Sequence, residues 1–365
     1  MELLLNCAML LVPPIFALFL HNYFCHGKMS SAKKFVYFIV DGGVTDILMY
    51  VLLWVRNIRG NGILRITVSH KLELMLIGCV FAFFVALCSA LIVEEDVTVD
   101  KLSMYLKRFA NDLKKYFKYA IRSAKSDLRS EVANAYLDWL WWLIEPFCMM
   151  LIYTLIFGVV FNASEEYFPI FIFSGLAMWS FFSRGLNVSV NIVRNNKSII
   201  SRVYLPKFIL YFARMLVNGF KMLVSFGIVV VMMLIYRVPL SFKVLYIIPI
   251  MIVFFLFTFG LGSILMHFGV YVNDLSYIIG IVLSMLMYFT GTFYSVGKRI
   301  PEPFGELLEQ FNPVAYFIAS MRNALLYCKG PQLDLLLTWG MASVVLAAIG
   351  VYTVYRNENA YVKVI

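Results

Sequence analysis

The chain is poor in charge and correspondingly rich in apolar residues. Of its 365 residues, 14% are charged and 62% are hydrophobic, and the mean hydropathy is +0.83. Soluble globular chains are about half apolar and about a quarter charged. A soluble enzyme, a nucleic-acid-binding module and a disordered tail are excluded, because so many apolar side chains must face something other than water. The composition therefore indicates an integral membrane protein.

Signatures of catalysis and of bound metals are also missing from the sequence. It contains no GxxxxGK[ST] loop for nucleotide phosphates, no HExxH and no GxSxG. Its six cysteines form no CxxC motif and have no metal-like spacing. We therefore predict that they are small buried hydrophobic residues, and we expect neither a metal nor a cofactor in this chain. An enzyme is the weaker hypothesis.

Apolar runs long enough to cross a bilayer recur along the chain. About 20 residues cross the hydrocarbon core as a helix. Residues 1–93 hold three such runs, which predict an N-terminal membrane module whose first run lacks the features of a cleaved signal peptide. A charged linker spans residues 94–138. A predicted six-span core then covers residues 139–356, with runs at about 142–161, 168–188, 209–236, 244–267, 275–296 and 333–355.

Basic residues predict the orientation of these spans. The stretch at 184–207, which contains the loop between the second and third core runs, holds five basic residues and no acid: Arg184, Arg194, Lys197, Arg202 and Lys207. Because Lys and Arg accumulate in cytoplasmic loops, this loop, the linker and a tail at 357–365 are predicted to be cytoplasmic. The loop at 297–332, whose charges nearly balance, is predicted to lie outside. The net charge of +10 has the same explanation.

The charged linker has the pattern of an amphipathic helix. From Phe109 to Val132 apolar residues recur at steps of three and four, while residues 101–129 hold nine basic residues and two acids. A basic amphipathic helix directly before a span is predicted to lie in the cytoplasmic interface beside anionic lipid. A solvated helix packed on a partner protein is the alternative.

Four short segments of the core carry a family resemblance. In chain order they are YLDWLWWLIEP at 136–146, SGLAMWSFF at 174–182, NNKSIISRVYLPKFIL at 195–210 and NPVAYFIASMR at 312–322. They resemble, in the same order, segments of the ABC transporter permeases that export O-antigen, capsule and teichoic-acid polymers. The resemblance covers about residues 118–355. One departure is TGTFY at 290–294, where the family has SPIFY, so that a glycine stands in place of a helix-breaking proline.

The resemblance implies an all-α integral membrane fold and the role of a transmembrane subunit. It implies a six-span permease core, preceded here by the amphipathic helix and the N-terminal module, and a second copy of the chain to complete a polymer path. A separate ABC ATPase subunit would bind ATP and Mg²⁺. The cargo would be a lipid-linked polysaccharide or polyol-phosphate polymer that leaves the cytoplasm across a bacterial or archaeal cytoplasmic membrane. Nucleic acid is not expected as a partner.

The cytoplasmic loop is predicted to dock on the ATPase as a coupling helix. Its apolar residues Val203, Leu205 and Phe208 would enter a groove, and its basic residues would meet acids on the rim. Proline at 206 is predicted to end the first helical part. An ordinary positive-inside loop is the alternative. The predicted docking residues are Arg194, Lys197, Arg202, Val203, Tyr204, Leu205, Pro206 and Lys207.

Aromatic residues in the second and fifth core runs are predicted to line the glycan channel. Aromatic rings can pack on the C–H faces of sugars without sequence-specific hydrogen bonds, and the resembled family has such aromatic belts. Core packing or a lipid-facing belt is the alternative. The residues are Trp179, Phe181, Phe182, Tyr288, Phe293 and Tyr294.

Charged residues near the predicted cytoplasmic end of the core form a candidate entrance. Steps of four and three place Arg214, Asn218 and Lys221 on one helical face. Such a face tends to border a cavity, where it could meet a lipid-linked pyrophosphate, and Glu145 is the predicted counter-ion. Snorkelling of the basic side chains to the headgroups is the alternative.

The outer loop is predicted to contain a gate. Its apolar runs at 304–311 and 314–326 are too short to span, and they predict short helices that dip into the outer leaflet. In the resembled family a gate lies here, which implicates Asn312, Pro313 and Arg322. A surface loop whose prolines set turns is the alternative.

Three other functions stay open at this point. A permease of the same type could export a small lipid or a drug. A membrane-embedded glycosyl- or acyltransferase would need acidic or histidine residues grouped at one membrane face. An accessory scaffold would use the N-terminal module for recognition.

Overall fold

The structure is helical in the parts of the chain that it describes. This computed structural model describes residues 99–133, 140–160, 165–239, 241–300 and 312–364, with Ile15, Gly305, Leu308 and Glu309. The predicted N-terminal module therefore lies outside the described residues, except for Ile15. The same holds for most of the predicted short helix at 304–311.

The helices are separated by short connections. A π-helical turn, Thr154–Val160, extends the second helix, and a 3₁₀ turn, Phe242–Tyr246, leads into the sixth. In chain order the α-helices are α1 (Val99–Val132), α2 (Trp141–Tyr153), α3 (Phe168–Asn195), α4 (Lys197–Ile200), α5 (Lys207–Ile235), α6 (Ile247–Tyr271), α7 (Leu275–Phe289), α8 (Val296–Arg299), α9 (Pro313–Leu325) and α10 (Leu333–Val364).

Four helical stretches in the described residues are long and apolar enough to cross a membrane. They are Trp141–Gly158, Lys207–Ile235, Phe242–Tyr271 and Leu333–Val364, and each overlaps one of the predicted core runs. Helix α7 is apolar but has 15 residues, and α3 is 28 residues long but less apolar because it includes serine, asparagine and arginine. The all-α membrane fold is confirmed, while the count of six spans stays a prediction.

Close packing joins α6 to α10 at the centre of this bundle. A Cβ atom on Gly260 of α6 would lie 2.6 Å from the backbone nitrogen of Ala347. One on Gly350 of α10 would lie 2.9 Å from the carbonyl oxygen of Gly260. Glycine at both positions lets the two backbones approach more closely than larger residues would allow. Helix α6 also packs on α3, which in turn packs on α5.

Helix α1 confirms the predicted amphipathic helix and begins before Phe109, at Val99. It packs on α5 and α10. Ala120, Ala124 and Val132 are buried, and the ring centre of Phe109 lies 4.7 Å from that of Phe208. The apolar face of α1 therefore packs, at least in part, against the protein's own helices.

The predicted cytoplasmic tail is not a separate segment. Helix α10 continues to Val364, and within it Glu358 and Tyr361 are 7% and 0% exposed. The helix therefore continues beyond the apolar run, and packing and polar contacts within the protein stabilise its last turns.

Candidate functional site

A cavity of about 270 Å³ lies between α2, α3 and α5. Three of the four predicted entrance residues, Glu145, Asn218 and Lys221, line it, and Arg184 joins them. The rest of the wall is mostly apolar and aromatic, and includes Trp142, Tyr153, Phe173, Trp179 and Phe181. The cavity thus combines charged side chains with aromatic surface.

The counter-ions of the basic residues near this cavity come from α1. The Nη1 atom of Arg214 lies 3.4 Å from Oδ2 of Asp127, and Nζ of Lys221 lies 2.5 Å from Oε2 of Glu131. Burial raises the pKa of Asp127, and the Arg214 guanidinium offsets part of that rise. Helix α1 therefore neutralises two cations of α5.

The prediction that Glu145 neutralises these cations was wrong. Its Oε1 atom lies 3.5 Å from Nη2 of Arg184, and both side chains are exposed. Packing of α1 on α5 brings acids of the linker to the basic face of α5. Nothing in the spacing of the linker residues indicates which cations they meet.

The predicted channel aromatics lie in different surroundings, and only some of them line the cavity. Trp179 and Phe181 line the cavity, and Tyr288 is 64% exposed. Phe182 is 1% exposed and stacks with Phe254 and Phe257, which favours the core-packing alternative for this residue.

Phe293 and Tyr294 follow α7 rather than form part of it. Phe293 is 5% exposed, and its ring stacks on that of Phe157 with centres 4.8 Å apart. The hydroxyl of Tyr294 donates to the carbonyl oxygen of Tyr288. The structure therefore places Phe293 in a packed ring pair and holds Tyr294 against the end of α7.

Arg322 of α9 is buried and holds three backbone carbonyls. Its Nε donates to Phe171 over 3.1 Å, and its two terminal nitrogens donate to Gly291 and Thr292 over 2.7 Å each. The guanidinium carbon lies 3.5 Å from the ring centre of Phe171. This arrangement, the Arg322 clamp, fastens α9 to α3 and to the turn after α7.

The other two predicted gate residues organise the start of α9. The side chain of Asn312 accepts hydrogen bonds from the backbone N–H groups of Val314 and Ala315, and Pro313 is the first helical residue. The Asn312 amide also donates to the carbonyl oxygen of Phe289, at the end of α7. The predicted short helix at 314–326 is confirmed as α9, Pro313–Leu325.

Glycine at 291 ends α7 in place of the proline of the resembled family. Its φ of +65° lies in the left-handed region, which most side chains avoid. The chain can then turn so that the carbonyls of Gly291 and Thr292 meet Arg322. The bend expected from the family pattern is therefore made by a different residue.

The predicted docking loop is non-helical from residue 201 to residue 206. Its helical part, α4, covers one turn and ends at Ile200, not at Pro206 as predicted. Pro206 instead precedes α5 with extended backbone angles (φ −56°, ψ 126°), which leaves Lys207 as the first helical residue. Pro206 therefore does not end a helix, because residues 201–205 before it are already non-helical.

The docking residues lie on two sides of the loop. Val203 and Tyr204 are 61% and 56% exposed, and Lys197 and Arg202 are exposed as well. Arg194 is half-buried and donates to the carbonyl oxygen of Val270. A partner that approaches this loop therefore meets Lys197 and residues 202–204 first.

The other side of the loop faces the protein's own helices. Leu205, Pro206, Lys207 and Phe208 are buried. The Lys207 ammonium donates to the carbonyl oxygen of Leu205 over 3.2 Å. The predictions that Leu205 and Phe208 enter a partner groove and that Lys207 meets its rim are wrong, because all three side chains are buried within the chain itself. The ring of Phe208 packs on Phe109 of α1 and Tyr355 of α10.

A group of polar side chains that the sequence analysis missed joins the loop to α1 and α10. Nη2 of Arg108 donates to the hydroxyl of Tyr204 and to Oε1 of Glu358, the latter over 2.6 Å. The Tyr204 hydroxyl lies 3.2 Å and 3.3 Å from the two carboxylate oxygens of Glu358. The hydroxyl of Tyr355 donates to Asp112 over 2.8 Å. We call these five residues the Arg108 cluster.

Electrostatics in this cluster stabilise the charged form of Arg108 and the protonated form of Tyr204. Burial works to lower the pKa of Arg108, but hydrogen bonding and attraction from Glu358 outweigh it, and the pKa is raised. Burial raises the pKa of Tyr204, and the Glu358 carboxylate raises it further. The phenol therefore keeps its proton, accepts from Arg108 and donates to Glu358.

Comparison with known proteins agrees with this architecture. Residues 123–326 match the family model described as ABC-2 type transporter. Over 255 residues the chain is 24% identical to the O-antigen export system permease protein RfbA of Myxococcus xanthus, which covers 69% of this chain and 98% of the relative. Over 198 residues it is 25% identical to a protein of the same name from Klebsiella pneumoniae, covering 54% and 76%. Since the family match spans more than half of the chain and includes all four of the quoted segments, the chain belongs to the ABC-2 type transporter family.

Proposed function

We propose that this chain is the transmembrane subunit of an ATP-driven exporter that moves a lipid-linked polysaccharide or polyol-phosphate polymer out of the cytoplasm. Family membership supports a membrane subunit of a transporter over an enzyme. Both relatives described above are named as permeases of O-antigen export. The cavity between α2, α3 and α5 carries the proposal, because it joins cations to aromatic surface.

The chemistry of the cavity fits both ends of such a cargo. Lys221 and Arg184 offer N–H donors to a phosphate or diphosphate group, to which charge-assisted hydrogen bonds are strong. Trp142 and Trp179 offer flat apolar rings to the C–H faces of sugars. A small lipid or drug would use the aromatic wall and would have less need of the cations.

The size of the cavity supports a second copy of the chain. Small-molecule sites enclose about 300–1,000 Å³, and this cavity holds about 270 Å³. A polymer needs a wider path than one protomer encloses here. A homodimer, with the cavities of the two copies on the shared path, would supply it.

An ABC ATPase subunit is the proposed energy source, and it would bind ATP and Mg²⁺. The exposed residues Lys197, Arg202, Val203 and Tyr204 would contact it. Val203 and Tyr204 provide apolar and aromatic surface, while Lys197 and Arg202 provide positive charge. The docking surface is thus smaller than the sequence pattern predicted.

Helix α1 supports a location at the cytoplasmic face of a bacterial or archaeal cytoplasmic membrane. Three of its acids, Asp112, Asp127 and Glu131, meet partners within the protein. Two of its exposed apolar side chains, Phe117 and Ile121, are 45% and 46% exposed. Such a helix can insert apolar residues below anionic headgroups. Its exposed basic residues are Lys107, Lys114, Lys115, Lys118, Arg122, Lys125 and Arg129.

Mild purification of the tagged full-length chain from its own host tests the proposal. We expect a stoichiometric partner that carries GxxxxGK[ST], together with phosphate-containing glycolipid detected by mass spectrometry. The variant Lys221→Gln should still bind the ATPase but should carry less glycolipid, while Lys243→Gln, at an exposed lysine before α6, serves as the matched control. An intact preparation without an ATPase partner would overturn the proposal.

A further inference from the structure

We propose that Tyr204 is a positioning residue through which the docking loop holds α1 and α10 in place. The inference rests on the proposed function in one respect, namely that an ATPase contacts the loop. Its structural part concerns this chain alone. Tyr204 belongs both to the exposed surface that a partner can touch and to the Arg108 cluster inside the protein.

The two parts of the Tyr204 side chain lie in different surroundings. The residue as a whole is 56% exposed, so a partner on the loop can touch its ring. Its hydroxyl, by contrast, contacts Arg108 of α1 and Glu358 of α10. Glu358 is 7% exposed, so its carboxylate depends on groups within the protein and not on bulk water: Arg108, Tyr204 and the attraction of the Lys207 ammonium. A shift of the ring therefore changes the hydrogen bonding of a buried acid.

The network continues beyond Tyr204 along both helices. The Arg108 guanidinium carbon lies 4.5 Å from the ring centre of Tyr355, and Nε of Arg108 lies 3.7 Å from Asp112. The Tyr355 hydroxyl donates back to Asp112, which closes a loop of contacts between α1 and α10. Three elements that are distant in the sequence thus share one cluster, and the loop enters it through the Tyr204 hydroxyl.

Helix α1 extends the effect of this cluster to the cavity. Glu131, on the same helix as Arg108, neutralises Lys221 at the cavity wall. With a rise of 1.5 Å per residue, the two positions lie about 35 Å apart along the helix axis. A helix transmits a displacement along its axis better than a loop does. When the loop moves with its partner, α1 loses the contact with the Tyr204 hydroxyl, and the resulting shift of α1 makes Lys221 available to an anionic cargo.

The variant Tyr204→Phe tests this role because it removes the hydroxyl and keeps the ring. In the purified full-length chain we expect backbone amides of α1 between Arg108 and Glu131 to exchange hydrogen at least threefold faster than in the wild type. Tyr277→Phe, at an exposed tyrosine of α7, is the matched control and should leave this exchange unchanged. Unaltered exchange in Tyr204→Phe would overturn the proposal.

A double-mutant cycle separates a shared network from general destabilisation. Glu358→Gln keeps the shape of the side chain and removes its charge. If both residues act through one cluster, the double variant should exchange no faster than the faster single variant. Fully additive effects would mean that Tyr204 and Glu358 act independently, which contradicts the proposal.

A second readout uses the complex with its ATPase. Tyr204→Phe should still co-purify with the ATPase, since the ring is retained, but should export at least threefold less cargo per ATP hydrolysed. Equal coupling in wild type and variant would overturn the positioning role. The exchange measurement needs neither ATPase nor cargo. If both were absent from an intact preparation, the proposed function would be refuted. The positioning role would then be decided by the exchange measurement alone.

Discussion

Two arginines hold the two ends of this bundle in different ways. Arg322, in the predicted outer element, donates to backbone carbonyls. Arg108, near the predicted cytoplasmic loop, contacts side-chain acceptors instead: the carboxylates of Asp112 and Glu358 and the hydroxyl of Tyr204. Backbone carbonyls cannot titrate and move only with their whole segment. Side-chain acceptors can rotate and exchange partners. The Arg322 clamp is therefore expected to be the more rigid of the two, and the Arg108 cluster the more adjustable.

The largest expected effect comes from breaking the rigid end. Arg322→Lys keeps the charge but cannot reproduce three hydrogen bonds in a planar fork. Each buried carbonyl left without a donor costs about 1–3 kcal/mol, so the loss should exceed that of a typical point mutation. We expect a sharp fall in the melting temperature of the purified protein. Arg299→Lys, at an exposed arginine of α8, is the control. A melting temperature equal to that of the wild type would show that the clamp does not hold α9.

The second effect concerns the pair that joins α1 to the cavity. Glu131→Lys leaves Lys221 beside a like charge and should lower both stability and export. Adding Lys221→Glu restores an ion pair of reversed polarity and should recover the melting temperature, but export should stay low because the cavity has lost one of its two cations, Lys221, and keeps only Arg184. Stability is followed by the melting temperature, and export is measured separately as cell-surface polymer at equal protein levels. Recovery of export in the double variant would mean that Lys221 has a structural role only.

The third effect concerns the exposed cations of α1 rather than the Arg108 cluster at the buried side of this helix. Replacing Lys114, Lys118 and Lys125 together with glutamine removes charges worth about 1 kcal/mol each near an anionic surface. We expect the gain in melting temperature from anionic lipid, measured in nanodiscs with and without it, to shrink markedly. The same gain in wild type and variant would place this face of α1 away from the headgroups.

The smallest effect is expected at the surface of the docking loop. Arg202→Gln removes an exposed charge that no packing depends on, so the protein should melt normally. Its affinity for the ATPase should fall about two- to fivefold, mainly through slower association, with a weaker dependence on salt. Association measured at two salt concentrations checks this. If the variant failed to fold, Arg202 would have a structural role, as the residues of the Arg108 cluster do.

The candidate site was predictable from sequence only in part. Steps of four and three predicted one face for Arg214, Asn218 and Lys221, and the last two of these line one cavity whereas Arg214 does not. The same sequence did not reveal that Glu131, rather than Glu145, neutralises Lys221. Arg108 and Glu358 are 250 positions apart, and such distant contacts leave no trace in local spacing.

The docking loop shows the same limit at short range. Leu205 and Val203 are equally apolar and only two positions apart, yet they are 4% and 61% exposed. Their difference arises because the loop is non-helical before Pro206, so helical spacing does not decide which side chain points inwards. Burial of Leu205 is decided by the helices that pack against the loop.

Three features could be predicted from local sequence alone: the membrane class, the helices α1 and α9, and the basic character of the docking loop. Each depends on composition, periodicity or capping over a few neighbouring residues. Only the tertiary structure decided which charges neutralise one another and which side of the loop a partner can reach. Both depend on how α1 and α10 pack against α5 and the loop, since a charge or a hydrophobic side chain takes its partner from whatever lies within a few ångströms.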